Sequence, residues 1–215
     1  MLLNLYSGVF MKKVSYLFAF ISLCIFFLIF INFEKPIFIR MDEAITDLFY
    51  GNGFITAFHY IGNTTVIVAA SLILLIVLWL KQRNYRGMLF VLLTIAGGRV
   101  LNQVIKNTVD RPRPEMVDQL TSFSFPSGHA MLSLLCLFTI AYLLSEVVVN
   151  KKHMVFVWLV AIFLSILIGL SRIAENHHYP TDVFAGWTIA YSWFIICVVW
   201  YEQRKAKFNK LRNNT

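Results

Sequence analysis

The sequence predicts an all-α integral membrane protein, a bundle of six transmembrane helices with an active site at the extracytoplasmic face. Three observations carry the fold. Apolar residues make up 59% of the 215 residues and charged residues only 14%, against about 25% charged in a soluble domain. Six stretches meet the requirement of ~20 mostly apolar residues for a helical span. Lys and Arg concentrate in alternate connections, as the positive-inside rule requires of a multi-pass chain. The length suits a single domain, taken as residues 1–215.

The first span is expected at 14–32. Lys12 and Lys13 before an apolar run could mark a secretory leader, but SLCIFFLIFINFEKP has no small-x-small cleavage site, so the run is read as a retained helix. MDEAITDLF (41–49) puts Met41, Ile45, Leu48 and Phe49 on one helical face and Asp42, Glu43, Thr46 and Asp47 on the other. That pattern suits a short amphipathic helix lying in the interface, ended by GNG at 51–53. It is expected to be a connector, with a lid as the alternative. The remaining spans are expected at 61–80, 88–106, 130–149, 154–172 and 182–201.

An even number of spans returns both termini to one side. Lys12, Lys13, Lys81, Arg83, Arg86, Lys151, Lys152, Arg204, Lys205, Lys207, Lys210 and Arg212 are twelve of the 19 basic residues, and all fall on that side. It is therefore read as cytoplasmic, in a cell membrane. The formal net charge of +8 is explained by orientation, with no nucleic-acid partner. Cys24, Cys136 and Cys197 lie singly in apolar runs without a C-x-x-C pattern, so they read as buried thiols and not as a disulfide or zinc framework.

Three polar clusters fall on the opposite, extracytoplasmic face. KNTVDRPRP (106–114) ends the third span with Lys106 and carries Arg111 and Arg113 on a proline-stiffened segment. Basic residues can snorkel at a membrane edge, but this is the side where they are disfavoured. PSGH (126–129) precedes a long apolar helix. Ser127 suits an N-cap, and the free N–H groups of a helix start attract anions; capping alone does not explain His129. SRIAENHHYPTD (171–182) sets Arg172 at the end of the fifth span, then His178 and Asp182 four residues apart around Pro180. Asp182 could cap the sixth helix, or accept a hydrogen bond from His178 and so fix its tautomer. Lys106, Arg113 and Arg172 with the Ser127–Gly128 helix start form a receptacle for phosphate. Two histidines can serve as nucleophile and proton donor. No acidic and histidine cluster suited to a metal is evident, so the cations would stand in for magnesium.

The patterns K-x6-R-P (Lys106, Arg113, Pro114), P-S-G-H (126–129) and S-R-x5-H-x3-D (Ser171, Arg172, His178, Asp182) match in order and spacing. They resemble the type 2 phosphatidic acid phosphatase family, the membrane lipid phosphatases related to vanadium haloperoxidases. The resemblance implies that His178 is a nucleophile forming a phosphohistidine. Asp182 would orient it, and His129 would protonate the leaving group. Lys106, Arg113, Ser127, Gly128 and Arg172 would bind the phosphate, and no metal or other cofactor would be needed. The implied substrate is a lipid phosphate in the bilayer: phosphatidylglycerophosphate by analogy with small bacterial relatives, with undecaprenyl diphosphate as the alternative.

Four residues fall outside that pattern. Arg111 reads as a head-group or surface charge, and His177 as a residue that contacts substrate or faces water, with Glu175 close by and no role assigned to it. Arg99, two turns below Lys106, is expected to face the bundle interior and buttress the site floor, because an intramembrane charge is costly. Two other functions fit the scaffold. A phosphatase for a soluble ester would need a broad aqueous funnel. A non-catalytic lipid-binding or transport protein would carry broken motifs, whereas here every motif position is intact.

Overall fold

The computed structural model describes residues 2–115 and 122–213. The side chains of Lys12, Lys81, Lys210 and Arg212, part of the basic count above, lie outside the described residues. The described residues form ten helices. They are α1 (Leu2–Asn32), α2 (Pro36–Phe49), α3 (Gly53–Thr56), α4 (His59–Gly62), α5 (Thr64–Gln82), α6 (Tyr85–Val91), α7 (Gly97–Val109), α8 (Gly128–Ser145), α9 (Lys151–Ala174) and α10 (Pro180–Asn213). A π-helical stretch, Leu92–Ala96, joins α6 to α7.

Five of the expected spans are continuous: Lys13–Asn32, Tyr85–Val109, Gly128–Ser145, Lys151–Ala174 and Pro180–Lys207. The sixth is a bent pair, Gly53–Gly62 with Thr64–Leu80, broken by 45°. The break has a local cause. Asn63 is extended, and its side chain accepts from the Thr65 N–H, so it caps a new helix instead of continuing the old one. The expected span at 61–80 therefore begins inside the bend. The fourth span also shifts, from 130–149 to Gly128–Ser145, because Val147–Val149 is apolar but not helical.

Helix α8 is the centre. It is apolar all round and mostly buried, as a helix enclosed by others must be. Helices α9 and α10 pack on it, and α1 lies along α10. Two glycines permit the close approaches. A Cβ on Gly98 would meet Leu135 Cδ1 at 2.2 Å, and one on Gly169 would meet the Trp187 ring at 2.1 Å. Two of the basic residues expected on the cytoplasmic side lie together at one end: Arg86 sits over the Tyr201 ring at 5.1 Å, and Lys205 pairs with Glu146 at 2.5 Å. Cys136 and Cys197 are buried as expected, but Cys24 is exposed on α1, whose apolar side chains face outward.

Helix α2 corrects the expectation of a mere connector at 41–49. It starts earlier, at Pro36, and inserts Asp42 into the bundle, where it is 3% exposed. Its exposed apolar side chains, Ile37, Ile39 and Leu48, suit a helix lying at the membrane boundary.

Candidate active site

The polar residues meet at the end of the bundle opposite Arg86 and Lys205. Helix α7 supplies Lys106, one turn before the helix ends at Asp110 in a left-handed conformation. That turn sends 111–115 across the top of the bundle. Arg113 anchors on Ser122, donating to its carbonyl at 2.7 Å and its hydroxyl at 2.9 Å. Lys106 is buried and donates to the Phe123 carbonyl.

Ser127 caps α8, accepting from the Ala130 N–H at 3.5 Å, and its own N–H donates to the Asp182 carbonyl at 3.0 Å. The starts of α8 and α10 are thus tied backbone to backbone. Gly186 makes this possible, since a Cβ there would stand 2.8 Å from the Ser127 carbonyl oxygen. Pro180 opens α10, as its fixed φ favours. Asn176, in a left-handed conformation, turns the chain between Arg172 and His178.

His178 is 2% exposed and Asp182 fully buried. The Arg113 Nη1 lies 3.2 Å from His178 Nε2. A guanidinium only donates, so Nε2 must carry the lone pair and the proton must sit on Nδ1. Nδ1 faces Asp182 Oδ2 at 3.5 Å, long for a hydrogen bond and correctly placed for one to tighten. Burial, then the charges of Arg113, Lys106, Arg172 and His177, hold the His178 imidazole well below its ordinary range. The Arg113 contact places the lone pair of the ring on Nε2. The capping reading of Asp182 is realised, by acceptance of the Tyr179 N–H at 3.0 Å; the hydrogen bond from His178 is not formed, Oδ2 standing 3.5 Å from Nδ1.

His129, in the first turn of α8, is half-buried and packs against the end of α4, next to the bend at Asn63: a Cβ on Gly62 would lie 3.5 Å from its Cδ2. Arg172 is buried and bonds Glu175 Oε2 at 2.5 Å and the His177 ring. Glu175 also meets His59 Nδ1 at 2.7 Å and His177 Nδ1 at 3.1 Å. Burial and the Arg172 charge lower the His177 pKa. Among the described residues, four buried side-chain atoms lack a hydrogen-bond partner, and three are here: Asn102 Oδ1, Arg172 Nε and His178 Nδ1. A buried guanidinium N–H without a partner is a donor that suits an anion. Among the described residues, no three of His, Cys, Asp and Glu converge as a metal-binding group.

The eight residues given a catalytic or phosphate-binding role lie at this end of the bundle, but Arg111 does not lie where expected and Arg99 only in part. Arg111 is not a surface charge. It is buried and bonds Asp182 Oδ1 at 2.7 Å, Thr181 Oγ1 at 2.8 Å and Asp42 Oδ2 at 3.1 Å. Arg99 is exposed and not enclosed in the bundle, but its Nη1 comes within 3.9 Å of where a Gly128 Cβ would stand, so its guanidinium does reach the floor of the site. Sequence reasoning missed Asp42, His59 and Asn102. Asn102 had a signal: it lies one turn before Lys106 on the same face, and its Oδ1 would be 3.2 Å from a Gly128 Cβ.

The family model of the PAP2 superfamily matches residues 87–206. Phosphatidylglycerophosphatase B of Bacillus subtilis is 28% identical over 162 residues, 74% of this chain and 79% of that protein. The undecaprenyl-diphosphatase BcrC of the same organism is 31% identical over 157 residues, 69% and 76% of the two chains. The crystal structure of the transmembrane PAP2-type phosphatidylglycerolphosphate phosphatase from Bacillus subtilis superposes with a TM-score of 0.78 at 25% identity. The match covers 86% of this chain and 96% of that one.

Proposed function

Because the chain belongs to the PAP2 superfamily, we propose that it is a metal-independent lipid phosphate phosphatase in which His178 is the nucleophile. The observation that carries this reading is the Arg113 contact to His178 Nε2 at 3.2 Å, which leaves the lone pair of a neutral imidazole among three cations.

On substrate entry the phosphate oxygens replace Nε2 as acceptors for Arg113, and they pair with Lys106, Arg172 and the N–H groups at the start of α8. His178 Nε2 attacks phosphorus in line. The bond to the lipid oxygen breaks, and His129 gives that oxygen its proton. The new N–P bond puts positive charge on the ring, which Asp182 offsets at Nδ1–H. His129 then accepts a proton from water, whose oxygen attacks phosphorus. The N–P bond breaks and inorganic phosphate leaves.

A membrane substrate fits a site at the rim of outward-facing apolar helices, which let acyl or prenyl chains stay in lipid. Phosphatidylglycerophosphate is the first choice, from the relative that matches 74% of this chain. Undecaprenyl diphosphate is favoured by a second relative at 31% identity. The basic end around Arg86 and Lys205 supports cytoplasmic termini and a site on the outer face of the cell membrane.

The test is phosphate release by purified protein in detergent with excess chelator, on both lipids, for wild type and His178→Ala. Turnover by the wild type alone supports the mechanism, and the faster lipid identifies the substrate. Equal turnover by His178→Ala removes His178 as nucleophile, and loss of wild-type activity on chelation removes the metal-free reading.

A further inference from the structure

A second arginine reaches the nucleophile from behind. Arg113 meets His178 at Nε2, and Arg111, two residues earlier on the same segment, meets Asp182, which faces the other ring nitrogen. Arg111 is held on every side. Its Nη1 bonds Asp182 Oδ1 and Thr181 Oγ1, and its Nη2 bonds Asp42 Oδ2. The guanidinium plane lies between two rings, 4.0 Å from the Tyr179 centroid and 4.6 Å from that of Phe33. Asp42 in turn accepts from the Thr181 N–H at 2.8 Å and hydroxyl at 2.7 Å, so α2 caps the first turn of the helix that carries Asp182.

We propose that Arg111 and Asp42 are positioning residues for the phosphatase reaction. Arg111 holds Oδ1 of Asp182 so that Oδ2 keeps the Nδ1–H tautomer of His178, and Asp42 anchors Arg111 from helix α2. This rests on the reading of His178 as nucleophile. The two oxygens of Asp182 have separate duties: Oδ1 takes Arg111, while Oδ2 takes the Tyr179 N–H and faces His178. A fully buried carboxylate stripped of its guanidinium loses both its counter-charge and the bond that sets its rotation. Oδ2 then no longer faces Nδ1, and the tautomer with the proton on Nε2 becomes accessible. That form has no lone pair to attack phosphorus. Lysine cannot substitute, because a point charge cannot bridge two carboxylates in one plane between two rings.

A cavity of about 620 Å³ lined by Phe33, Asp42, Arg111 and Tyr179 gives solvent a way to this arginine, so free guanidinium can re-enter a truncated site. The experiment compares wild type, Arg111→Ala, Arg111→Lys, Asp42→Asn and His178→Ala in the phosphate-release assay. Arg111→Ala is expected to lower kcat about 100-fold while KM stays within about threefold, the signature of misplaced catalytic groups with substrate contacts kept. Added guanidinium chloride should restore at least about tenfold relative to equal sodium chloride, and Arg111→Lys should stay near the alanine variant. Should Arg111→Ala fail to fold, Asp42→Asn keeps the side-chain shape and is expected to lower kcat about tenfold at unchanged KM.

Wild-type kcat in Arg111→Ala, or in a folded Asp42→Asn, overturns the positioning role while His178→Ala is dead. So does a rise in KM at constant kcat, which would make Arg111 a substrate-binding residue. Turnover by His178→Ala overturns the underlying mechanism and this proposal with it.

Discussion

Gly186→Ala tests whether the two halves of the site are kept in register by one backbone contact. The added Cβ would stand 2.8 Å from the Ser127 carbonyl oxygen, 3.3 Å from Ala130 Cβ and 3.4 Å from the Met131 nitrogen. The first and last of these are backbone atoms and cannot rotate away. Helix α10 must therefore back off α8 by 0.2 Å to reach 3.0 Å, and by 0.6 Å to reach ordinary contact at 3.4 Å. Gly186 lies one turn beyond Asp182 on the same face, so the shift acts on the carboxylate and on its carbonyl, which accepts the Ser127 N–H at 3.0 Å. Overpacking of this kind costs about 1–3 kcal/mol. At roughly 2–4 °C per kcal/mol for a chain of this size, Tm falls by about 2–12 °C. A misplacement of 1 Å can cost about 100-fold in rate, so a shift of half that size predicts a kcat loss on the order of tenfold. The assays are thermal unfolding in detergent and phosphate release. Gly53→Ala is the control, because nothing lies within 4 Å of a Cβ there. Wild-type Tm and kcat in Gly186→Ala would refute the close-approach argument. A lowered Tm at unchanged kcat would refute the idea that this contact sets the register of His178 and Asp182.

Two further outcomes follow from the charges at the rim. Glu175 bonds Arg172 at 2.5 Å, so if Arg172 binds the phosphate the two compete for it. Glu175→Gln removes a charge-assisted bond worth about 1 kcal/mol over a neutral one, so the inhibition constant for inorganic phosphate should fall about fivefold; an unchanged constant means that Arg172 does not bind the phosphate. The His178 ring gives a pH signature. Its folded pKa is lowered by burial first, then by Arg113, Lys106, Arg172 and His177, so between that value and 6.5 the unfolded chain takes up a proton that the folded chain refuses. The stability from this ring is complete above about 6.5 and is lost as pH falls towards the lowered value. The acid limb of kcat/KM due to His178 should lie well below 6.5 and move up in Arg113→Gln. A limb at or above 6.5 in the wild type, or one that does not move, would show that this histidine is not held neutral by its surroundings.

Hydropathy made the spans legible because the bilayer fixes their length and apolarity, and six expected spans correspond to five helices and one bent pair. It could not mark the bend at Asn63, which is made by a single capping amide, nor the end of α8, where Val147–Val149 is apolar without being helical. The motif residues were legible because each cluster is local in sequence. Asp42 and His59 were not, since each is one polar residue in an ordinary helical pattern and meets its partner far along the chain, as Asp42 meets Thr181. Arg111 was misread because its neighbours suggested an exposed edge. The contrary signal was its position on the side where arginines are disfavoured, opposite an amphipathic helix rich in acids.

The distribution of formal charge argues for what the site is built to receive. The group behind His178 holds one arginine, Arg111, between two buried carboxylates, Asp42 and Asp182. Its excess is negative, and it faces the Nδ1 side, where positive charge would develop on the ring. The group in front holds Lys106, Arg113 and Arg172 against one carboxylate, Glu175. It carries two uncompensated positive charges, with a guanidinium N–H of Arg172 lacking any partner. Leaving such an excess poorly hydrated is costly without a counter-charge, and a phosphate monoester dianion supplies that charge together with oxygens for the open donors. A neutral lipid head group would supply oxygens but not the charge. If Arg172 takes the phosphate, product phosphate competes for the same donors, and Glu175, which bonds Arg172 at 2.5 Å, stands where it would displace the leaving ion.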